Sequence, residues 1–199
     1  MRARALLLVV SALALASCRS PFTNVWADPD WKGGPLRRVL VVAKEVDAAT
    51  RRAYEDAMVA RLEQIGVEAE ASYRSVPDDQ ITPDVVAHAI AAGKEDGMIA
   101  ARLVGVDERA RYLPGATRGP ARGVTGGWRT WHGFQDPGTW RIDRVARIET
   151  QVWSLEGEGS LIWAGMSESV NPRDIPGIAA TLADRTVTTL QREGILPSE

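Results

Sequence analysis

Arg38-Val39-Leu40-Val41-Val42-Ala43 is the stretch on which the fold turns. It is a short apolar run rich in β-branched residues, with nothing polar between Val39 and Ala43. Such a run reads as a strand covered on both faces, as in a parallel sheet. The residues after it read as a helix. Asp47 is placed to cap, and Tyr54, Ala57, Met58, Leu62 and Ile65 recur at the spacing of one helical face. Arg51, Arg52, Glu55 and Glu63 are expected on the wet side, and Gly66 closes the helix as a C′ residue does.

Further along, Val67, Ala69, Ala71 and Tyr73 alternate with Glu68, Glu70 and Ser72, the period of a half-exposed strand near a sheet edge. Thr82-Pro83-Asp84 opens a second helix, with a capping hydroxyl, proline at N1 and a carboxylate in the first turn. Its apolar stripe is Val85, Val86, Ala89 and Ile90, and His88 reads as a boundary residue beside that stripe. Met98 to Val104 reads as a central strand. Right-handed crossovers then make these three strands parallel. Residues 114–140 hold seven glycines and three of the seven tryptophans, which reads as a long loop between strands. Ile142 to Val152 alternates as a strand with one buried face. Glu156 to Ser160 is a turn, Leu161 to Val170 returns as a strand, and a last helix at about 176–193 buries Ile178, Ala179, Leu182, Val187 and Leu190. The expected fold is α/β, a β-α-β-α-β-β-β-α three-layer sandwich. Its sheet is mixed, with the first three strands parallel and an antiparallel end.

Ahead of this domain lies a leader. Arg2 and Arg4 precede Ala5 to Ala16, which is apolar apart from Ser11. A spanning helix needs about 20 apolar residues, so this shorter run has the form of a signal-peptide core. It ends on Leu15-Ala16-Ser17-Cys18, the form of a bacterial lipobox, in which the cysteine thiol takes a diacylglyceryl group and the leader is cut just before it. The expected organisation is a signal peptide over 1–17, a lipidated N-terminus and tether over 18–37, and a single domain over 38–199. Phe22, Trp26 and Trp31 within the tether either lie against the domain or touch the membrane interface. Arg19, where aspartate would signal retention at the inner membrane, points to the outer membrane with the domain facing the periplasm.

Composition narrows the chemistry. The whole chain has a net charge of −2, and without the leader arginines the balance is −4. An acidic, evenly mixed surface argues against nucleic acid as a partner, and it holds no polybasic patch for lipid. Attachment is therefore expected through the lipid on Cys18. That residue is the only cysteine, so neither disulfides nor a second thiol are available. His88 and His132 are too few imidazoles for a typical zinc site. No metal and no cofactor are expected.

Three places invite a functional reading. Trp128, Trp131, Phe134 and Trp140 of the glycine-rich loop can stack on sugar rings, and Arg129 can hold a carboxylate bidentately. The open alternatives are that the loop packs on its own domain, meets a protein partner in the envelope, or binds a glycan. The loop carries neither phosphate-binding glycine motif. Open α/β sheets place ligands beyond the carboxyl ends of their strands, here near Lys44, Glu45, Asp47, Asp107 and Glu108. Glu149, Gln151 and Trp153 on the outward side of one strand form either a contact surface or the seat of a helix. No nucleophile, base and orienting group fall into an order that suggests catalysis, so a non-enzymatic role is expected.

Several pieces also carry a resemblance. They are Val39-Leu40-Val41-Val42, Arg51-Arg52-Ala53-Tyr54-Glu55-Asp56, Gly66 to Tyr73, Asp96-Gly97-Met98-Ile99, Tyr112-Leu113-Pro114-Gly115, Glu149 to Trp153, Leu161 to Gly165, and Gly194-Ile195-Leu196. In that order and spacing the chain resembles a widespread family of uncharacterised bacterial envelope lipoproteins. By element order it is also similar to the lipoprotein activators of peptidoglycan synthases and to the core domain of the curli secretion channel. The resemblance implies a membrane-held scaffold or interaction module in envelope assembly or maintenance. Likeness to the channel would imply amphipathic hairpins that build a pore. Residues 114–140 lack the sustained alternation this requires.

Overall fold

A computed structural model of the chain describes residues 22–78, 81–114 and 138–198. Cys18, Trp128, Arg129, Trp131, His132 and Phe134 lie outside the described residues, as does the side chain of His88. In chain order the elements are β1 (Thr23–Ala27), β2 (Arg38–Lys44), α1 (Ala48–Glu63), β3 (Glu68–Ala71), α2 (Pro83–Ala92), β4 (Gly97–Leu113), β5 (Thr139–Ser154), β6 (Ser160–Val170) and α3 (Ile175–Arg192). A 3-10 turn, Ser72–Arg74, comes after β3.

The strands form one six-stranded sheet in the order β1-β6-β5-β4-β2-β3. β2 is parallel to both β3 and β4, and the remaining pairs are antiparallel, which is the mixed α/β sheet expected. Strand β1 departs from the sequence expectation. Its residues fall in the segment that reads as a tether, yet Trp26 and Ala27 pair with Ala164 and Trp163 of β6. The proline and glycine punctuation of 21–35 hides a strand of only five residues. The chain ahead of the first parallel strand is therefore part of the fold: Phe22 is buried edge-on against Trp163, and the Leu36 amide donates to the Ile195 carbonyl.

Local chemistry explains the helix ends. Asp47 accepts from the amides of Ala49 and Thr50 and from the Thr50 hydroxyl, satisfying donors that the first turn leaves open. Thr82 does the same for Val85, with proline next in line. Gly66 and Gly194, both at positive φ, close α1 and α3.

The chain leaves β2 for β3 at the edge and then returns past β2 to β4. Right-handed crossovers put α1 and α2 on opposite faces when the direction reverses in this way. α3 packs beside α1, so the three layers are α1 with α3, the sheet, and α2. The core lies between the sheet and the α1–α3 pair. Val41, Ile99, Val152 and Trp163 face Met58, Leu62, Leu182, Val187 and Leu190 across it. Each such side chain contributes about 1.5–3 kcal/mol on full burial.

One expectation about this core fails. Helical spacing puts Arg51 and Glu55 on the wet side of α1, but Arg51 is 1% exposed and Glu55 is 0% exposed. The helix turns that edge toward the strand ends rather than to water. Buried ions must then be bonded on every side. Glu55 accepts from Arg51, from the Ser72 hydroxyl and from the amides of Ala43 and Tyr73. Arg51 also donates to Ser72 and Asp78.

Candidate functional site

Three features of the fold are candidates for a site. The first is a cleft of about 400 Å³ between the sheet and the N-terminal parts of α1 and α3. Lys44, Glu45 and Asp47 line it, as the strand-end expectation has it, but Asp107 and Glu108 do not. Asp107 pairs with Arg147 at 3.0 Å, and Glu108 faces Arg144 at 3.9 Å, both farther out along the strands. Most of the lining is apolar, with Leu103, Ile148, Ile178 and Leu182 among it. A second hollow of about 530 Å³ continues past Ile178 and Leu182 toward Thr181 and Arg185. Asp47 caps α1, and its hydrogen bond from the Thr50 hydroxyl lowers its pKa. The Tyr54 phenol at the cleft's inner wall has its pKa raised, chiefly by burial, so it stays protonated. Among the described residues no group of three or more His, Cys, Asp or Glu is placed to hold a metal.

The second feature is the sheet face opposite the core. Glu149, Gln151 and Trp153 of β5 alternate outward, and their register neighbours Arg102 of β4 and Ala164 and Met166 of β6 lie on the same face. The side chains form a connected row. Trp153 Nε1 donates to Gln151 Oε1 at 3.2 Å, Gln151 Nε2 to Glu149 Oε1 at 3.0 Å, and Arg102 Nε to Glu149 Oε2 at 2.6 Å. The Gln151 hydrogen bond and then Arg102 hold the Glu149 carboxyl below its usual pKa. Leu40 and Val42 on this face are buried near the α2 crossover, whereas Trp26 on β1 is 46% exposed. Helices α1 and α3 occupy the other face, and Glu149, Gln151 and Trp153 are half-buried.

The third is an arm made by β4 and β5. The sequence expectation ends one strand at Val104 and begins a long one at Ile142, but the two pair from Gly97↔Ser154 to Leu113↔Thr139. A bulge between Leu103 and Gly105 sets the outer part off from the sheet. Beyond it the two faces differ. Val106, Ala110, Tyr112, Trp140 and Ile142 share one side, interrupted by Glu108 and Arg144. Asp107, Arg109, Arg111, Arg141 and Asp143 share the other. Trp140, the one loop candidate among the described residues, is 68% exposed and stacks at a tilt on Tyr112, with ring centroids 5.2 Å apart. On the charged side Arg111 and Arg141 both reach Asp143, at 2.9 and 3.3 Å. Asn171 and then these arginines lower the Asp143 pKa. The signal that could have found the arm is the period-two pattern from Val104 to Tyr112, masked by the charges at 107–109 and 111.

No protein-family model and no curated protein sequence matches the chain. Among solved structures it is similar to a PelC dodecamer from Paraburkholderia phytofirmans, at TM-score 0.44 and 12% identity over 84% of this chain and 96% of that one. It is also similar to a hypothetical protein from Chlamydia trachomatis, at TM-score 0.36 and 10% identity over 67% and 72%. A third is a minor lipoprotein from Acinetobacter baumannii, at TM-score 0.27 and 9% identity over 77% and 94%. These are likenesses of fold alone.

Proposed function

We propose that this chain is a lipid-anchored protein of the bacterial envelope that serves as a non-enzymatic interaction or scaffold module in envelope assembly or maintenance. The anchor is the lipid on Cys18, with the domain on the periplasmic side of the outer membrane. Among the described residues no helix is long and apolar enough to cross a membrane, and the lipobox supplies attachment without one.

The observation that carries the reading is the outward face of β4, β5, β6 and β1. Its polar groups are already ordered into a hydrogen-bonded row from Trp153 through Gln151 and Glu149 to Arg102. A surface with fixed hydrogen-bonding groups beside an exposed tryptophan binds with little ordering cost. Tryptophan is also enriched at the centres of protein contacts. The cleft supports a catalytic or glycan role less well, because its walls are mostly apolar and Asp47 serves as the cap of α1.

Photocrosslinking side chains placed at Gln151 and at Glu158, and expressed in intact cells, test this. The reading expects a discrete protein adduct from position 151 and none from 158, which lies in the β5–β6 turn. Equal labelling from both positions would remove the outward face as a docking surface.

A further inference from the structure

The register fixes where the membrane anchor stands relative to the arm. Thr23 pairs with Met166, Met166 with Glu149, Glu149 with Arg102, and Arg102 with Lys44. All five therefore lie at one level of the sheet, where β2 ends and the arm begins. β1 runs antiparallel to β6, so the chain ahead of Thr23 sets out in the direction of β6 toward Val170. That is the direction in which β4 runs toward Leu113. Traced back from Ala27 to Thr23, β1 and the arm therefore point out of the same end of the sheet.

Their lengths differ. Five residues separate Thr23 from Cys18, a reach of at most about 17 Å. Eleven separate Arg102 from Leu113, roughly 35 Å of paired strand. A bilayer that holds Cys18 by its lipid therefore lies within the arm's reach, and the arm either enters the headgroup layer or lies along it.

The arm's composition suits that place. Its apolar side exposes Val106 by 53%, Tyr112 by 50%, Trp140 by 68% and Ile142 by 63%. Tyr and Trp favour the membrane–water interface, where one end of the ring is wet and the other is not. The described arm, residues 104–113 and 139–147, carries five arginines, each in an ion pair, and only Arg144 stands on the apolar side. Arginine stems lie along apolar surface while the heads stay with water and phosphate. Glu108 and Arg144 in the middle of the apolar side argue for an interfacial position rather than burial in hydrocarbon.

We propose that the Val106, Tyr112, Trp140 and Ile142 face of the arm rests on the same bilayer that holds Cys18, as an interfacial contact. It rests on the anchored reading above, and it makes the arm a second contact that sets how the domain stands on the membrane.

The test uses the full acylated chain in vesicles of phosphatidylethanolamine and phosphatidylglycerol. With Cys18 acylated, Ile142→Cys gives a single free thiol for an environment-sensitive fluorophore, and Glu158→Cys gives a control at the far end of the sheet. Tyr112→Cys repeats the arm position independently. A lipid-borne nitroxide is expected to quench the label at 142 and at 112 several-fold more strongly than at 158, with matching protection from aqueous iodide. Equal quenching at all three positions, in chain that floats with the vesicles, overturns the proposal while leaving the anchor intact. Protection from iodide without nitroxide quenching also overturns it, since protein would then cover the face. Chain that does not float with the vesicles refutes the anchored reading itself, and the proposal falls with it.

Discussion

Arg51 and Glu55, one turn apart on α1, meet at 2.9 Å with almost no solvent on either side chain. The pair ties α1 to the end of β2 through the Ala43 amide and to the turn after β3 through Ser72 and Tyr73. Breaking a buried pair by removing one partner leaves an uncompensated charge, a loss of about 3–5 kcal/mol. Arg51→Met is expected to lower the unfolding free energy by that amount in chemical denaturation. A loss below about 1 kcal/mol, the size of an exposed pair, would contradict the burial of this network.

Phe22 tests whether the segment before β2 belongs to the fold. Its ring meets Trp163 edge-on at 5.2 Å between centroids. Truncating a buried phenylalanine typically removes about 3–5 kcal/mol. Phe22→Ala should therefore lower thermal stability substantially. An unchanged midpoint would return residues 22–27 to the role of tether.

Gly165 of β6 sits against the same two rings. A Cβ there would lie 2.5 Å from the Trp163 ring and 3.2 Å from Phe22. The rings are packed and cannot swing aside as a chain end would. Gly165→Ala is expected to cost about 1–3 kcal/mol through overpacking. Full wild-type stability would show that Trp163 has room to move.

These residues also mark what the sequence could and could not say. The two-faced apolar run at 39–43, the Asp47 and Thr82 caps and the glycine stops at 66 and 194 act within a few residues of themselves, so the parallel half of the fold was legible from them. β1 was not, because five residues owe their strand state to an edge of β6 more than a hundred positions away. Arg51 and Glu55 read as solvated because helical spacing reports a face, not the groups that later pack against it. Of the candidate site, the outward row Glu149, Gln151 and Trp153 was legible from period-two alternation. That Arg102 would join it depended on register across strands. The arm was hidden because ion pairs across two strands occupy positions that, taken one strand at a time, look like a charged loop.

Acid should loosen the fold through carboxylates whose pKa is depressed. Asp143 is held below its ordinary value by Asn171 and then by Arg111 and Arg141, and Asp78 by hydrogen bonding from Arg52 first, with Arg51 adding to it. A folded-state pKa below the unfolded one means that the unfolded chain binds more protons as the medium acidifies. Stability from these groups is therefore complete above about pH 5 and is lost as pH falls through about 4 and below. Melting followed by circular dichroism should show the midpoint falling over that range, and Asp143→Asn should make the fall shallower. An identical slope in the variant would show that Asp143 does not take part.

If the domain hangs from a membrane by Cys18, the intact mass of protein extracted from cell membranes should be that of a chain beginning at Cys18 and carrying acyl-glycerol mass on that residue. A chain that keeps residues 1–17, or one that begins elsewhere with an unmodified thiol at Cys18, would contradict it.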